Sequence, residues 1–395
     1  MSILNALIYF DYNQKSATLF IFFFNMVVFA AIFLKKGFID HHQESKWLGL
    51  FVLLCALYIC PFMLGYAGWY GIQAYREFLF VIPFQQLFLI GPVIYFYTLS
   101  LLHVNFQLSK KHLIHFLPAA LYMVYSLIIF ITDKVVLDQF YFYADGRDKD
   151  LAFWYQMAGL LSMLYYLILS IIRYRQYRKA IVQEASFADE VLFNWINHFI
   201  IAFVTILVLR LLFFILNPEW ADFGTKYWYY LCFSLLTFYI SIAGYKHLIT
   251  SSMFRFSQGV LLSGLGDVQS DIHEAGQPEL DNLAEWKSKL VHLVENEKIY
   301  TNPELTLTVV AEQLGTNRNV VSVIINQGFD MNFNDYINLK RVEAVIDQIK
   351  AGKHEQRSLL AIAFDTGFNS KSTFNRAFKK HTSLTPKQYV ANNLN

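Results

Sequence analysis

Residues Leu359 to Pro386 read LLAIAFDTGFNSKSTFNRAFKKHTSLTP, and their spacing decides the fold of the C-terminal part of the chain. Leu359, Ile362 and Ala363 fall on one helical face, and Gly367 follows four residues after the alanine. A small Ala lets a second helix cross closely, and the Gly suits a turn that needs positive φ. Phe374 and Phe378 then mark the buried face of a second helix. The pattern is helix, tight turn, helix. It also occurs upstream: Leu307, Val310, Ala311 and Gly315 stand 52 residues before Leu359, Ile362, Ala363 and Gly367. Past the turn the offset is 53, pairing Val321 and Ile325 with Phe374 and Phe378. One A-x-x-x-G arises often by chance. Two in register, each followed by a patterned second helix, specify a paired helix-turn-helix domain rather than a generic bundle.

With Phe374 and Phe378 inward, Lys371, Ser372, Asn375 and Arg376 lie on the open side of the second helix. Arg suits guanine edges and Asn adenine edges, whereas Lys379 and Lys380 suit phosphate. From Arg357 onward six basic residues face one acid, Asp365, a net +5 over 39 residues that fits a nucleic-acid surface. Asn317 and Ser370 stand where either a helix cap or a phosphate contact is expected.

At these residues the sequence resembles a family. IAFDTGFNSKSTFNRAFKKHTSLTPKQY is similar to the signature of AraC/XylS-type transcription regulators. EKIYTNPELTLTVVAEQLG resembles the approach to their first unit, and NFNDYINLKRVEAVIDQI their connecting helix. The resemblance covers about Leu283 to Asn395, just over a quarter of the chain. It implies two recognition helices in successive major grooves of double-stranded DNA, and dimerisation. On matching positions Arg318, Asn319 and Ser322 would face DNA from the first unit, and Lys371, Ser372, Asn375 and Arg376 from the second. Two departures stand out: Ser383 occupies a position that is usually Gly, and Val323 replaces a commonly polar or basic residue, which weakens the expectation of base contacts from the first unit. In the connecting helix, about Asn334 to Lys350, Val342, Val345, Ile346 and Ile349 read as core. The amphipathic segment Leu283 to Val294 is expected to pack on the first unit.

The rest of the chain has another character. Hydrophobic residues make up 56% of the 395 residues and charged ones 16%, with 38 Phe and 25 Tyr; ordinary soluble domains carry about 25% charged residues. The apolar runs end near Gly244. Seven reach the roughly 20 residues needed to cross a hydrocarbon core: Ala17–Leu34, Leu48–Gly68, Phe78–Leu102, His112–Thr132, Leu151–Ile172, Ile196–Leu216 and Tyr227–Gly244. Connections on one side carry eleven Lys and Arg, those on the other six. The positive-inside rule then puts the N-terminus outside and the C-terminus in the cytoplasm of a bacterial inner-membrane protein. No cleaved signal peptide is expected, and Cys55, Cys60 and Cys232 read as small apolar residues.

The expected architecture is all-α: a seven-helix transmembrane sensor domain over residues 1–246, a flexible linker over 247–281, and a DNA-binding domain over 282–395. Within the spans Arg210 is the costly group. It is expected either to snorkel toward headgroups or to serve as a sensor, binding an anion or bonding Gln85 and Gln86; no Asp or Glu lies well inside a span to pair with it. Asn25 is expected to bond between helices. His112 and His115 share a face but lack a third ligand, so no metal is expected, and no cofactor. No H-E-x-x-H, G-x-S-x-G or phosphate-cradling loop proposes an enzyme. The expected function is a membrane-integral transcription regulator responding to an unknown ligand or signal. The alternative is a receptor or transporter whose tail tethers nucleic acid, and the Asn375 and Arg376 side chains separate the two.

Overall fold

Asn13 starts the first long helix. Its side chain accepts the N–H groups of Lys15 and Ser16, each at 3.0 Å, and the Ser16 hydroxyl accepts the Asn13 N–H, so the donors orphaned at a helix start are met. From that cap the computed structural model gives α1 (Gln14–Ile39), α2 (Gln43–Tyr66), α3 (Gln73–Val81), α4 (Leu87–Leu102), α5 (Leu117–Ile131), α6 (Phe153–Glu184), α7 (Leu192–Leu216) and α8 (Tyr227–Gln258). It continues with α9 (Leu283–Val291), α10 (Leu307–Leu314), α11 (Arg318–Phe329), α12 (Phe333–Lys350), α13 (Leu359–Asp365), α14 (Lys371–Thr382) and α15 (Pro386–Asn393). The structure describes residues 9–103, 106–144, 146, 148–186, 192–216, 226–258 and 283–393. Among them there is no strand, only an isolated bridge between Ala185 and Thr306. The fold is all-α, as the periodicity indicates.

The chain divides into two units, Met1–Tyr174 with Trp195–Gln258, and Arg175–Asn194 with Gly259–Asn395. In the first, α2 is the central helix: Phe51, Val52, Ala56, Ile59 and Phe62 are wholly buried. The outer helices turn apolar stripes outward instead. Leu117, Leu121, Val124 and Ile128 of α5, Leu161, Tyr165, Ile168 and Ile172 of α6, and Ile201, Val204, Val208 and Leu211 of α7 are all exposed. Spacings of three and four put each set on one face, and apolar faces of this extent are rare on water-soluble monomers.

Six helical stretches among the described residues are long and apolar enough to cross a membrane: Gln14–Ile39, Gln43–Tyr66, Lys110–Val136, Phe153–Gln183, Trp195–Phe213 and Tyr227–Ile249. The third expected span, Phe78–Leu102, is instead broken. Pro83 forces Ile82 out of helical geometry (φ −89°, ψ 116°), and the chain resumes as α4, only 16 residues long. Asn25 bonds the Ile21 carbonyl of its own helix at 2.7 Å, not a neighbouring helix. The expected linker falls in two parts: α8 continues as helix to Gln258, and 259–281 lies outside the described residues.

In the second unit α12 serves two cores. Its first half gives Phe333, Tyr336 and Ile337 to a cluster with Leu290 of α9, with Leu293 and Val294 of the helical turn that follows it (His292–Asn296), and with Leu307, Val310, Val321 and Ile325. Its second half gives Val342, Val345 and Ile349 to a cluster with Ile362, Ala363, Phe374 and Phe378. The positions paired by the 52- and 53-residue offsets thus fill equivalent places in two small cores.

Candidate nucleic-acid interface and a buried polar network

Both helix-turn-helix units are built from the same local devices. Thr306 and Ser358 cap the first helices by accepting the N–H groups of Val309 and Ala361. Asn317 and Ser370 cap α11 and α14 through the Val320 and Thr373 N–H groups, at 3.0 and 3.2 Å. Capping is therefore what these two side chains do here. Gly315 and Gly367 take left-handed geometry at φ 68° and 95°. At Gly367 a Cβ would also run into the Tyr300 carbonyl, so that turn needs glycine for two reasons.

The second unit presents the expected face. Phe374 and Phe378 are buried, and Lys371, Ser372, Asn375, Arg376, Lys379 and Lys380 are all exposed. Asp365, the lone acid of this stretch, is ion-paired to Arg357. Lys380 reaches Asp335 on α12 at 2.6 Å, an exposed pair that a phosphate can displace because such pairs are worth only ~0–1 kcal/mol. In the first unit Asn319 is exposed, whereas Arg318 and Ser322 are half-buried, and Ser322 accepts from Asn326 at 3.3 Å. Val323 is buried, at 8% exposure. It belongs to the interior side of α11, so its apolar character removes nothing from the outer face. Ser383 adopts φ 63° at the end of α14, which explains why a glycine suits that position.

A family model described as a helix-turn-helix domain matches residues 310–392. An uncharacterized HTH-type transcriptional regulator of Pseudoalteromonas carrageenovora is 31% identical over 121 residues, covering 31% of this chain and 67% of that protein. The chain belongs to the AraC/XylS-type helix-turn-helix regulators. A second uncharacterized HTH-type transcriptional regulator, from Staphylococcus aureus, is 28% identical over 93 residues, 23% of this chain and 12% of its own length. No solved structure matches the chain. It is a DNA-binding transcription regulator whose N-terminal part holds, among the described residues, six helical stretches long and apolar enough to cross a membrane.

In that part Arg210 does not snorkel: it is 2% exposed. Nη1 donates to the Tyr58 hydroxyl at 3.2 Å, and Nη2 donates to the Gln156 carbonyl and side-chain oxygens at 3.2 and 2.8 Å. Its link to Gln85 is indirect, because the Gln156 amide stands between them and donates to Gln85 Oε1 at 2.7 Å. Gln86 takes no part; it bonds the Pro83 carbonyl at 2.5 Å. Arg210 Nε is buried with no partner among the described residues. The Arg210 residue lines a small cavity of about 10 Å³ together with Tyr58, Tyr229 and Phe233, room for about one water.

The break at Pro83 explains why this network exists. Backbone groups freed from a helix in apolar surroundings need partners. Asp150 accepts the Gln85 N–H at 2.9 Å, and the Tyr155 hydroxyl donates to the Gln85 carbonyl at 2.6 Å. Asp148 and Asp150 are buried just before α6. Burial raises both carboxyls above the usual range, and for Asp148 the Asp150 charge adds to it. The sequence reading missed both acids and Gln156; two acids bracketing Lys149 at the mouth of an apolar helix were the available signal.

Proposed function

We propose that this regulator is integral to the bacterial inner membrane, with its N-terminus outside and its helix-turn-helix domain in the cytoplasm. The observation that carries the reading is the pairing, in one chain, of outward apolar stripes on α5, α6 and α7 with an exposed basic face on α14. The α4 helix together with the non-helical residues 82–86 supplies the seventh crossing. Sixteen helical residues give ~24 Å of the ~30 Å hydrocarbon core, and the turns at 82–86, whose backbone groups are bonded within the protein, cover the rest. An odd number of crossings agrees with the lysine and arginine distribution.

The cytoplasmic domain binds promoter DNA sequence-specifically. Lys371, Ser372, Asn375 and Arg376 read base edges from α14, Arg318, Asn319 and Ser322 read them from α11, and Lys379 and Lys380 neutralise phosphate. The protein acts as a homodimer and catalyses no reaction. The Arg210 network, reaching Gln85 through Gln156, is the part of the apolar unit that senses the ligand or signal, because an incompletely bonded guanidinium there favours an added acceptor.

The test is DNA selection with full-length protein in lipid nanodiscs, followed by Asn375→Ala with Arg376→Ala. Base contacts of this kind are worth ~1–3 kcal/mol each, so the double variant should lose site preference by ~30-fold or more and keep its binding to random DNA. Equal affinity of wild-type protein for selected and random DNA would sink the reading.

A further inference from the structure

The helix α6 ends at Glu184, and the next two residues, Ala185 and Ser186, are 1% and 0% exposed within the C-terminal unit. They lie 119 to 155 residues from the groups that bury them. The Ser186 N–H and hydroxyl both donate to the Leu305 carbonyl, at 3.2 and 2.9 Å. Asn334 donates to the Ala185 carbonyl at 3.0 Å and Asn338 to the Ser186 carbonyl at 3.3 Å. Arg341 Nη2 donates to the Ser186 hydroxyl at 3.1 Å.

The three donors on α12 stand at i, i+4 and i+7, a polar stripe on one helical face. All three are buried, at 5%, 3% and 1% exposure, and a buried polar stripe is tolerated only when something polar covers it. Arg341 also joins both helix-turn-helix units. Its Nε and Nη2 donate to the Tyr300 and Asn302 carbonyls, at 2.8 and 2.7 Å, and its guanidinium lies 5.8 Å from the Phe368 ring centre in the second unit's turn. Leu305 and Thr306 lead directly into α10. Ser186 thus docks where the approach to the first unit, the connecting helix and the turn of the second unit meet.

We propose that residues 185–186, in the connection between α6 and α7, are the coupling element of the protein: docked on Asn334, Asn338 and Arg341, they hold the two recognition helices at the spacing that successive major grooves require. The inference rests on the reading of the chain as a sequence-specific regulator and is independent of what the Arg210 network binds. The contact leaves the outer faces of α11 and α14 uncovered, so it sets their relation rather than blocking DNA. Because it follows α6 with no intervening residue, a shift or rotation of that helix is delivered directly to Arg341.

Two variants act on opposite sides of the contact. Ser186→Trp overfills a fully buried site without altering any residue of the two helix-turn-helix cores. Asn334→Ala with Asn338→Ala removes the donors facing it. In full-length protein in nanodiscs, both should speed hydrogen exchange at residues 185–186 and 305–306. Both should also weaken binding to a selected DNA site by ~10-fold, within the range of site-to-site coupling, with random-DNA binding unchanged. Faster exchange with unchanged site affinity overturns the coupling, and unchanged exchange in Ser186→Trp overturns the docking. If wild-type protein already lacks site preference, the sequence-specific reading fails first and this inference with it.

Discussion

Arg210 in the apolar unit and Arg341 in the helix-turn-helix unit are buried alike, at 2% and 1% exposure. Every hydrogen-bond partner of both is a neutral oxygen. They differ in completeness. Arg341 has all three nitrogens engaged, with Tyr300, Asn338, Asn302 and Ser186, whereas Arg210, which lines a small cavity, has Nε buried without a partner among the described residues. A satisfied buried cation ties segments together. One left a bond short carries a standing cost in free energy.

The largest effect should come from Arg341→Met. It leaves four oxygens in a buried site without their donor, so unfolding of the C-terminal unit should become easier by ~3–5 kcal/mol. Chemical denaturation followed through Trp286 would check it, and a loss below ~1 kcal/mol would remove Arg341 from its place as a hub. Arg210→Met sharpens the contrast. It leaves three buried acceptors without a donor, one fewer than Arg341→Met, and removes an Nε that has no partner among the described residues, so the apolar unit should lose ~1–3 kcal/mol, less than the C-terminal unit, while any response to signal disappears. Equal destabilisation by both variants would erase the distinction between the two arginines.

A smaller effect is expected at Ser383, held at φ 63°. Left-handed geometry costs a non-glycine residue ~1–2 kcal/mol, and glycine's greater unfolded-state freedom returns part of the gain. Ser383→Gly should therefore stabilise the second unit by about 0.5–1 kcal/mol, read from its denaturation midpoint. The last effect is on pH. Burial raises Asp150 to about 6, from an ordinary 3.8. An acid whose folded pKa is raised contributes stability that is full below its unfolded value and lost as pH climbs through the folded one. The melting temperature of the apolar unit should fall between about pH 4 and 6, and Asp150→Asn should flatten that slope. Burial also pulls Arg341 down, to about 9, far enough above neutrality to keep it charged across this window.

The sequence by itself determined what repeats locally. Leu307, Val310 and Ala311, and Leu359, Ile362 and Ala363, declare two first helices. Gly315 and Gly367 declare the turns, and Phe374 with Phe378 leaves Asn375 and Arg376 on the outer face. Helical periodicity fixes each of these within a dozen residues, so they could be read before any contact was known. The apolar runs were legible for the same reason, except where Pro83 broke the third. Tertiary structure alone decided the partners of the buried polar groups. Arg210 meets Gln156, 54 residues away, rather than the two glutamines that composition suggested. Asp150 meets the Gln85 N–H, 65 residues away, and Ser186 meets Arg341 across 155. Such pairs have no period and no local signature. A buried donor takes whichever acceptor the packed helices bring within about 3 Å, and that choice belongs to the fold as a whole.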